Sequence, residues 1–221
     1  MTEQNFEHMR RAMVASQLRT TGVSDPRVVA AMGAVPRERF VPADRATTAY
    51  ADALVPLGGG RDLNTPMSLG RMLTEARPRG EDRALVLGAA TGYAAAVLAR
   101  LVASVVAVEQ DPTLASAAMS ALKGTSVKLI EGPPAKGYAR GAPYDLILID
   151  GAVEFVPDAI VEQLAENGRL VAAILDKGVA RISIGRRGGD GFGTVAVADV
   201  ASAILPGFVR PRTFTFYRSR A

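Results

Sequence analysis

The chain has 221 residues, 48% of them hydrophobic, enough for one large or two small domains around a buried core. It contains no Cys, which excludes disulfides and thiolate metal sites. The formal charge is +4, but Lys and Arg are spread along the chain. The densest basic group, Arg210, Arg212, Arg218 and Arg220, reads as a solvated tail, so no nucleic-acid partner is expected.

The lone His8 lies in a polar segment, and no metal site is expected. Residues 1–20 lack a continuous apolar stretch, and no run reaches the roughly 18 apolar residues of a membrane span. The expectation is a cytoplasmic protein with no membrane partner.

Residues 6–20 carry apolar side chains at helical spacing: Phe6, Met9, Met13, Val14 and Leu18. Ser24-Asp25-Pro26 reads as a helix start, with Val28, Val29 and Met32 on the apolar face that follows. Val35–Pro42 is a turn bracketed by prolines, and residues 50–66 are loop-like around Gly58-Gly59-Gly60. A further helix is predicted over 66–76 from Met67, Leu69, Met72 and Leu73.

From Ala84 the pattern alternates. Strands are predicted near 84–88, 105–109, 127–130, 144–150 and 169–175, and helices near 92–103, 112–123 and 156–165. The strands are nearly unbroken in Val, Leu and Ile, as in a parallel sheet covered on both faces. The fold class is therefore α/β, a doubly wound and mostly parallel sheet. Further strands are expected at 180–186, 194–200 and 213–217.

One unit within this pattern carries chemistry. The apolar run Ala84–Leu87 enters a Gly88-x-x-x-Gly92 turn, an Ala-rich helix follows, and a second apolar run ends on Glu109. A turn stripped of bulky side chains lets a ligand approach the backbone. An acid at the tip of the second strand can accept hydrogen bonds from ribose hydroxyls. The unit reads as a nucleoside-cofactor site. Asp111-Pro112 has the form of a helix cap, which leaves Glu109 free for ribose. Glu109→Ala is accordingly expected to weaken cofactor binding and leave the fold intact.

The order and spacing of many short motifs give the family. They are Met13–Leu18, Asp25, Val35–Pro42, Ala49–Asp52, Pro56–Gly60, Ala84–Tyr93, Glu109, Ala142–Asp145 and Gly168–Val171. On these residues the chain resembles the protein-L-isoaspartate O-methyltransferases. The resemblance implies a methyltransferase sheet preceded by an N-terminal helical cap, with the cap and substrate loop over 1–78 and the α/β domain over 79–221 in one compact unit. It implies S-adenosyl-L-methionine as cofactor. Gly88, Ala89, Ala90, Thr91, Gly92 and Tyr93 would lie against its methionine part, Glu109 on the ribose, and Gly132 near the adenine. Asp150, after the apolar run Leu146–Ile149, stands at a strand end facing the cleft in this topology, where the family more often has a small or hydroxyl residue, and is a candidate cofactor or substrate contact. The acceptor would be an isoaspartyl protein or peptide, and the protein a monomer or homodimer.

The chain departs from the family pattern on the chemical side. Asp62 and Asn64 stand where the family has Thr and Ser and are the candidate catalytic residues: Asn64 can donate through its amide, and Asp62 would repel an incoming carboxylate unless Arg61 offsets it. Ala90 replaces Gly, Val86 replaces an acid, and Pro133-Pro134 replaces an Asp-Gly pair. These departures leave open a cofactor-binding or scaffold protein without isoaspartyl activity, or a different methyl acceptor.

Overall fold

A computed structural model describes residues 3–189 and 191–210. Helix α1 (Glu3–Ala12) passes into a π-helical segment, Met13–Leu18, where the sequence predicts one continuous helix. Helix α2 (Pro26–Ala34) begins where expected. The Asp25 side chain accepts from the Arg27 amide, and Pro26 fills the first helical position, whose N–H has no partner to lose. Arg37–Phe40 and Ala43–Thr48 are 3-10 turns. The segment expected as loop holds a small hairpin, β1 (Val55–Gly58) and β2 (Arg61–Leu63). Helix α3 spans Pro66–Ala76, with the Thr65 hydroxyl accepting from the Ser68 amide at its start.

The sheet is built from β3 (Arg83–Leu87), β4 (Ser104–Glu109), β5 (Val127–Glu131), β6 (Tyr144–Val153), β7 (Leu164–Asp176), β8 (Val179–Gly188) and β9 (Gly191–Asp199). Their order is β5-β4-β3-β6-β7-β8-β9. Strands β3 to β7 pair in parallel, while β8 and β9 are antiparallel. The doubly wound, mostly parallel sheet is the expected one. Val86, Leu146, Leu148 and Val171 face one layer together with Met13, Leu18, Met32 and Leu73 of the N-terminal helices. Leu85, Leu87, Ile147, Ile149 and Leu170 face the other. Cap and sheet therefore share one apolar cluster. Val86 belongs to it and is fully buried, so an apolar side chain suits that position.

Helix α4 is Tyr93–Leu98, shorter than the predicted 92–103, because the chain tightens into three-residue turns through Arg100 N–H to Val97 O and Leu101 N–H to Leu98 O. Helix α5 (Pro112–Ala121) matches its expectation. The helix predicted over 156–165 is a single turn, α6 (Asp158–Val161). Leu164 is drawn instead into β7 opposite Tyr144, whose amide donates to Gln163 O at 2.9 Å. The strand predicted at 213–217 lies outside the described residues.

The chain leaves β3 for β4 and β5 on one side, then returns to place β6 on the other edge of β3. That reversal is a topological switch point at the carboxyl ends of β3 and β6, the place where open α/β sheets receive ligands.

Candidate active site

The turn after β3 lies at that switch point. Gly88 and Gly92 have φ of +76° and +97°, in the left-handed region that glycine adopts without strain. Ala90 is held at φ +49°, where its methyl is costly. The Gly88 and Ala89 amides both donate to Val108 O at 3.0 Å, which pins the turn to β4. The Thr91 hydroxyl donates to Phe40 O at 2.6 Å and ties the turn to the N-terminal cap.

The sequence places the backbone of Tyr93 at the cofactor. Its ring packs edge-on to Phe40 at 5.5 Å and lies under the Arg37 guanidinium, 4.7 Å from the ring centre. The side chain is part of the core, so only the backbone at this position remains for a ligand. Burial pushes the Tyr93 hydroxyl above its ordinary pKa, and the neighbouring Arg37 charge works against that shift.

Glu109 ends β4 beside the turn. Its Oε2 accepts from the Ala90 amide at 2.6 Å, and its Oε1 accepts from the Gln110 and Asp111 amides at 2.9 and 3.0 Å. The expectation that Asp111 serves as the cap holds, since its side chain accepts from the Thr113 and Leu114 amides. The inference that Glu109 is thereby left free does not. Arg61 Nη1 lies 2.9 Å from Glu109 Oε1 and Nη2 lies 3.3 Å from Oε2, with both side chains buried. Arg61 therefore does not serve to offset Asp62. Asp62 alternates to the other side of β2 from the buried Arg61 and Leu63 and is half-buried.

Asn64 is at the centre of a second cluster. Its Nδ2 donates to Asp150 Oδ1 at 2.7 Å. Its Oδ1 accepts from Ser202 Oγ at 3.1 Å and from the Ala203 amide at 2.8 Å. Asp150 stands where the register of β6 against β7 is interrupted. Burial pushes its carboxyl above the usual carboxylate range, against the Asn64 amide and the charges of Arg61 and Arg37. Gly132 follows β5, and its amide donates to Glu109 O at 2.9 Å. Asp150, Glu109, Arg61 and Asn64 thus share one region, and Asp62 does not join them.

Two participants were not singled out from the sequence. Arg37 is fully buried and donates to Ala49 O and Asn64 O, holding the loop that carries Asn64. Burial pushes its guanidinium below the usual range. The only sequence signal was its place between the two prolines of the 35–42 motif. The other is Leu205, which packs over the Gly88–Gly92 turn from a segment with no distinguishing pattern.

The family described as protein-L-isoaspartate(D-aspartate) O-methyltransferase matches residues 9–201 of the chain. A protein-L-isoaspartate O-methyltransferase of Methanoregula boonei is 40% identical over 183 residues, covering 81% of this chain and 84% of that protein. One from Roseiflexus castenholzii is 37% identical over 206 residues, covering 92% and 94%. Among solved structures, a protein-L-isoaspartate O-methyltransferase superposes with a TM-score of 0.77 at 22% identity, covering 91% of this chain and 66% of that one. A Plasmodium falciparum structure described as such an enzyme in complex with S-adenosyl-L-homocysteine gives 0.74 at 18%, covering 90% and 97%. The two structures share the fold, and the match over residues 9–201 together with the two sequence relatives carries the assignment: the chain belongs to the protein-L-isoaspartate(D-aspartate) O-methyltransferase family.

Proposed function

We propose that the protein transfers the methyl group of S-adenosyl-L-methionine to the carboxylate of L-isoaspartyl residues in damaged proteins, using the residues gathered at the ends of β3, β4 and β6. The observation that carries this reading is the seating of Glu109 against the Ala90 amide of the Gly88–Gly92 turn. A carboxylate fixed beside a close-approach turn supplies the acceptor that ribose hydroxyls require and the bare backbone against which a methionine end can lie. The turn and the acid fit the cofactor, provided that Arg61 and Leu205 move aside.

When bound, the cofactor supplies an electrophilic methyl on a positively charged sulfonium. The acceptor is already a carboxylate, so no covalent nucleophile is needed from the protein. One carbon–sulfur bond breaks and one carbon–oxygen bond forms, and both charges are neutralised. The resulting ester loses methanol to the neighbouring amide nitrogen. The succinimide so formed reopens with water, partly as normal aspartate.

The protein's share is positioning and field. Glu109 accepts from the ribose hydroxyls. The bare backbone of the 88–92 turn and of Gly132 is assigned to the two ends of the cofactor by close approach, since the amides of Gly88, Ala89, Ala90, Gly92 and Gly132 already donate within the protein. Asn64 can turn its amide N–H groups from Asp150 to the acceptor carboxylate, the role the family gives to a hydroxyl. Asp150 opposes an incoming carboxylate less because burial favours its neutral form. Asp62, on the other side of β2, is assigned no contact with reacting atoms.

The test is calorimetric titration of the purified protein with S-adenosyl-L-homocysteine, followed by methylation of an isoaspartyl peptide. Binding with turnover supports the reading. Binding without turnover on that peptide moves the acceptor elsewhere, and no binding overturns it.

A further inference from the structure

The place assigned to the cofactor is filled by side chains of the chain itself, from two directions. From one side Arg61 covers both oxygens of Glu109, the carboxylate assigned to ribose. From the other comes the segment after β9. Leu205 lies so close over the turn that a Cβ added at Gly88 would come within 2.8 Å of Leu205 Cδ2. A Cβ at Gly151 would meet Leu205 Cβ at 2.8 Å. Leu205 is buried, so the glycine surface that the cofactor needs is already covered by an isobutyl group.

This segment is tied down as a strap. Ala203 O accepts from the Ala152 amide at 2.6 Å, and the Leu205 amide donates to Ala152 O at 2.9 Å. Ser68 Oγ donates to Ala201 O. Asn64 joins the strap to the loop that carries Arg61, through its contacts to Ser202 and Ala203. The family match ends at residue 201, so the portion holding Leu205 lies beyond it. The Arg61 loop also has a built-in pivot. Gly58, Gly59 and Gly60 precede Arg61 with φ of +94°, +58° and +73°, and Gly58 and Gly60 have open space around them.

We propose that Arg61 and the 201–205 strap form an internal latch that competes with the cofactor, Arg61 for Glu109 and Leu205 for the surface of Gly88. The proposal rests on the cofactor reading above and adds to it a closed state that must open before S-adenosyl-L-methionine binds. Cofactor binds only the open fraction, so apparent affinity falls by that fraction. The loop swings on Gly58–Gly60 and the strap peels from Ala152. Asn64 couples the two movements, because freeing either one strips it of partners.

The latch makes a demand that a purely structural segment does not. Weakening it must lower stability and raise ligand affinity together. The experiment measures S-adenosyl-L-homocysteine affinity by calorimetry, and thermal midpoint without ligand, for the full chain and for Leu205→Ala and Arg61→Gln. Each variant is expected to melt lower than the parent, through a lost buried side chain or an unpaired Glu109, and to bind about tenfold tighter. Adding ligand to the parent is expected to speed hydrogen exchange at the Ala203 and Leu205 amides. Variants that melt lower and bind equally or more weakly overturn the latch while leaving the cofactor reading intact, as does unchanged exchange in a ligand-bound parent. Absence of binding in parent and variants alike overturns the cofactor reading, and the latch falls with it.

Discussion

Arg61 and Glu109, 48 positions apart, form a two-pronged buried ion pair at 2.9 and 3.3 Å, with three backbone amides completing the coordination of the carboxylate. A fully buried carboxylate with five donors is part of the folded scaffold as well as a candidate ligand for ribose. Removing one member of such a pair leaves the other charge buried and unmatched.

Glu109→Ala is therefore expected to unfold more easily, contrary to the expectation from sequence that the fold would be untouched. The loss should be about 3–5 kcal/mol, the usual cost of orphaning one partner of a buried pair. Urea denaturation checks this. An unchanged midpoint would show that the contact is not made in solution.

Gly88→Ala and Leu205→Ala should be coupled. At φ +76° an added methyl is strained, and it also meets Leu205. The glycine substitution alone should cost about 2 kcal/mol or more from strain and overpacking together. In the double variant the overlap disappears, so its cost should fall below the sum of the single costs by about 0.5–3 kcal/mol. Strict additivity in a double-mutant cycle would place Leu205 away from the turn.

Ala90→Gly should stabilise the protein. A non-glycine residue at φ +49° costs about 1–2 kcal/mol, and the added freedom of glycine in the unfolded chain returns about 0.4–1 kcal/mol of that. A net gain near 0.5–1 kcal/mol is expected, read as a higher thermal midpoint. A lower midpoint would mean that the turn is not held left-handed there.

Asp150 predicts a pH dependence. Its carboxyl is raised by burial above the ordinary 3.8, so the folded state holds a proton that the unfolded state releases. Its contribution is most favourable below pH 3.8 and is lost as pH rises through the higher folded value. Relative to Asp150→Asn, the parent should lose stability as pH increases from about 4 toward neutrality. Asn64→Asp should steepen that loss, since it sets a second carboxylate where the amide now lies 2.7 Å from Asp150 Oδ1. Urea midpoints at several pH values decide it, and parallel profiles for all three proteins would refute it.

How much of this was readable in the residue order depends on reach. Helix α3 was legible because Met67, Leu69, Met72 and Leu73 repeat at helical spacing, all within a few residues of one another. The turn after β3 was legible because two glycines follow an apolar run. Helix α6 was misjudged because pairing of Leu164 with Tyr144 across β6 and β7 overrode a local helical pattern.

The sequence by itself determined the alternation of strands and helices, the glycine turn at 88–92, the acid at 109 and the family to which they belong. These follow from capping, periodicity and backbone freedom, which act over a turn or a strand. Only the tertiary structure decided that Arg61 rather than solvent meets Glu109, that Asn64 joins Asp150 to the strap, and that Leu205 lies over Gly88. Each of those contacts joins residues dozens of positions apart. The stacking of the sheet and the return of the chain after β9 bring them together, and no local rule records which distant side chain will fill a buried acid's last valence.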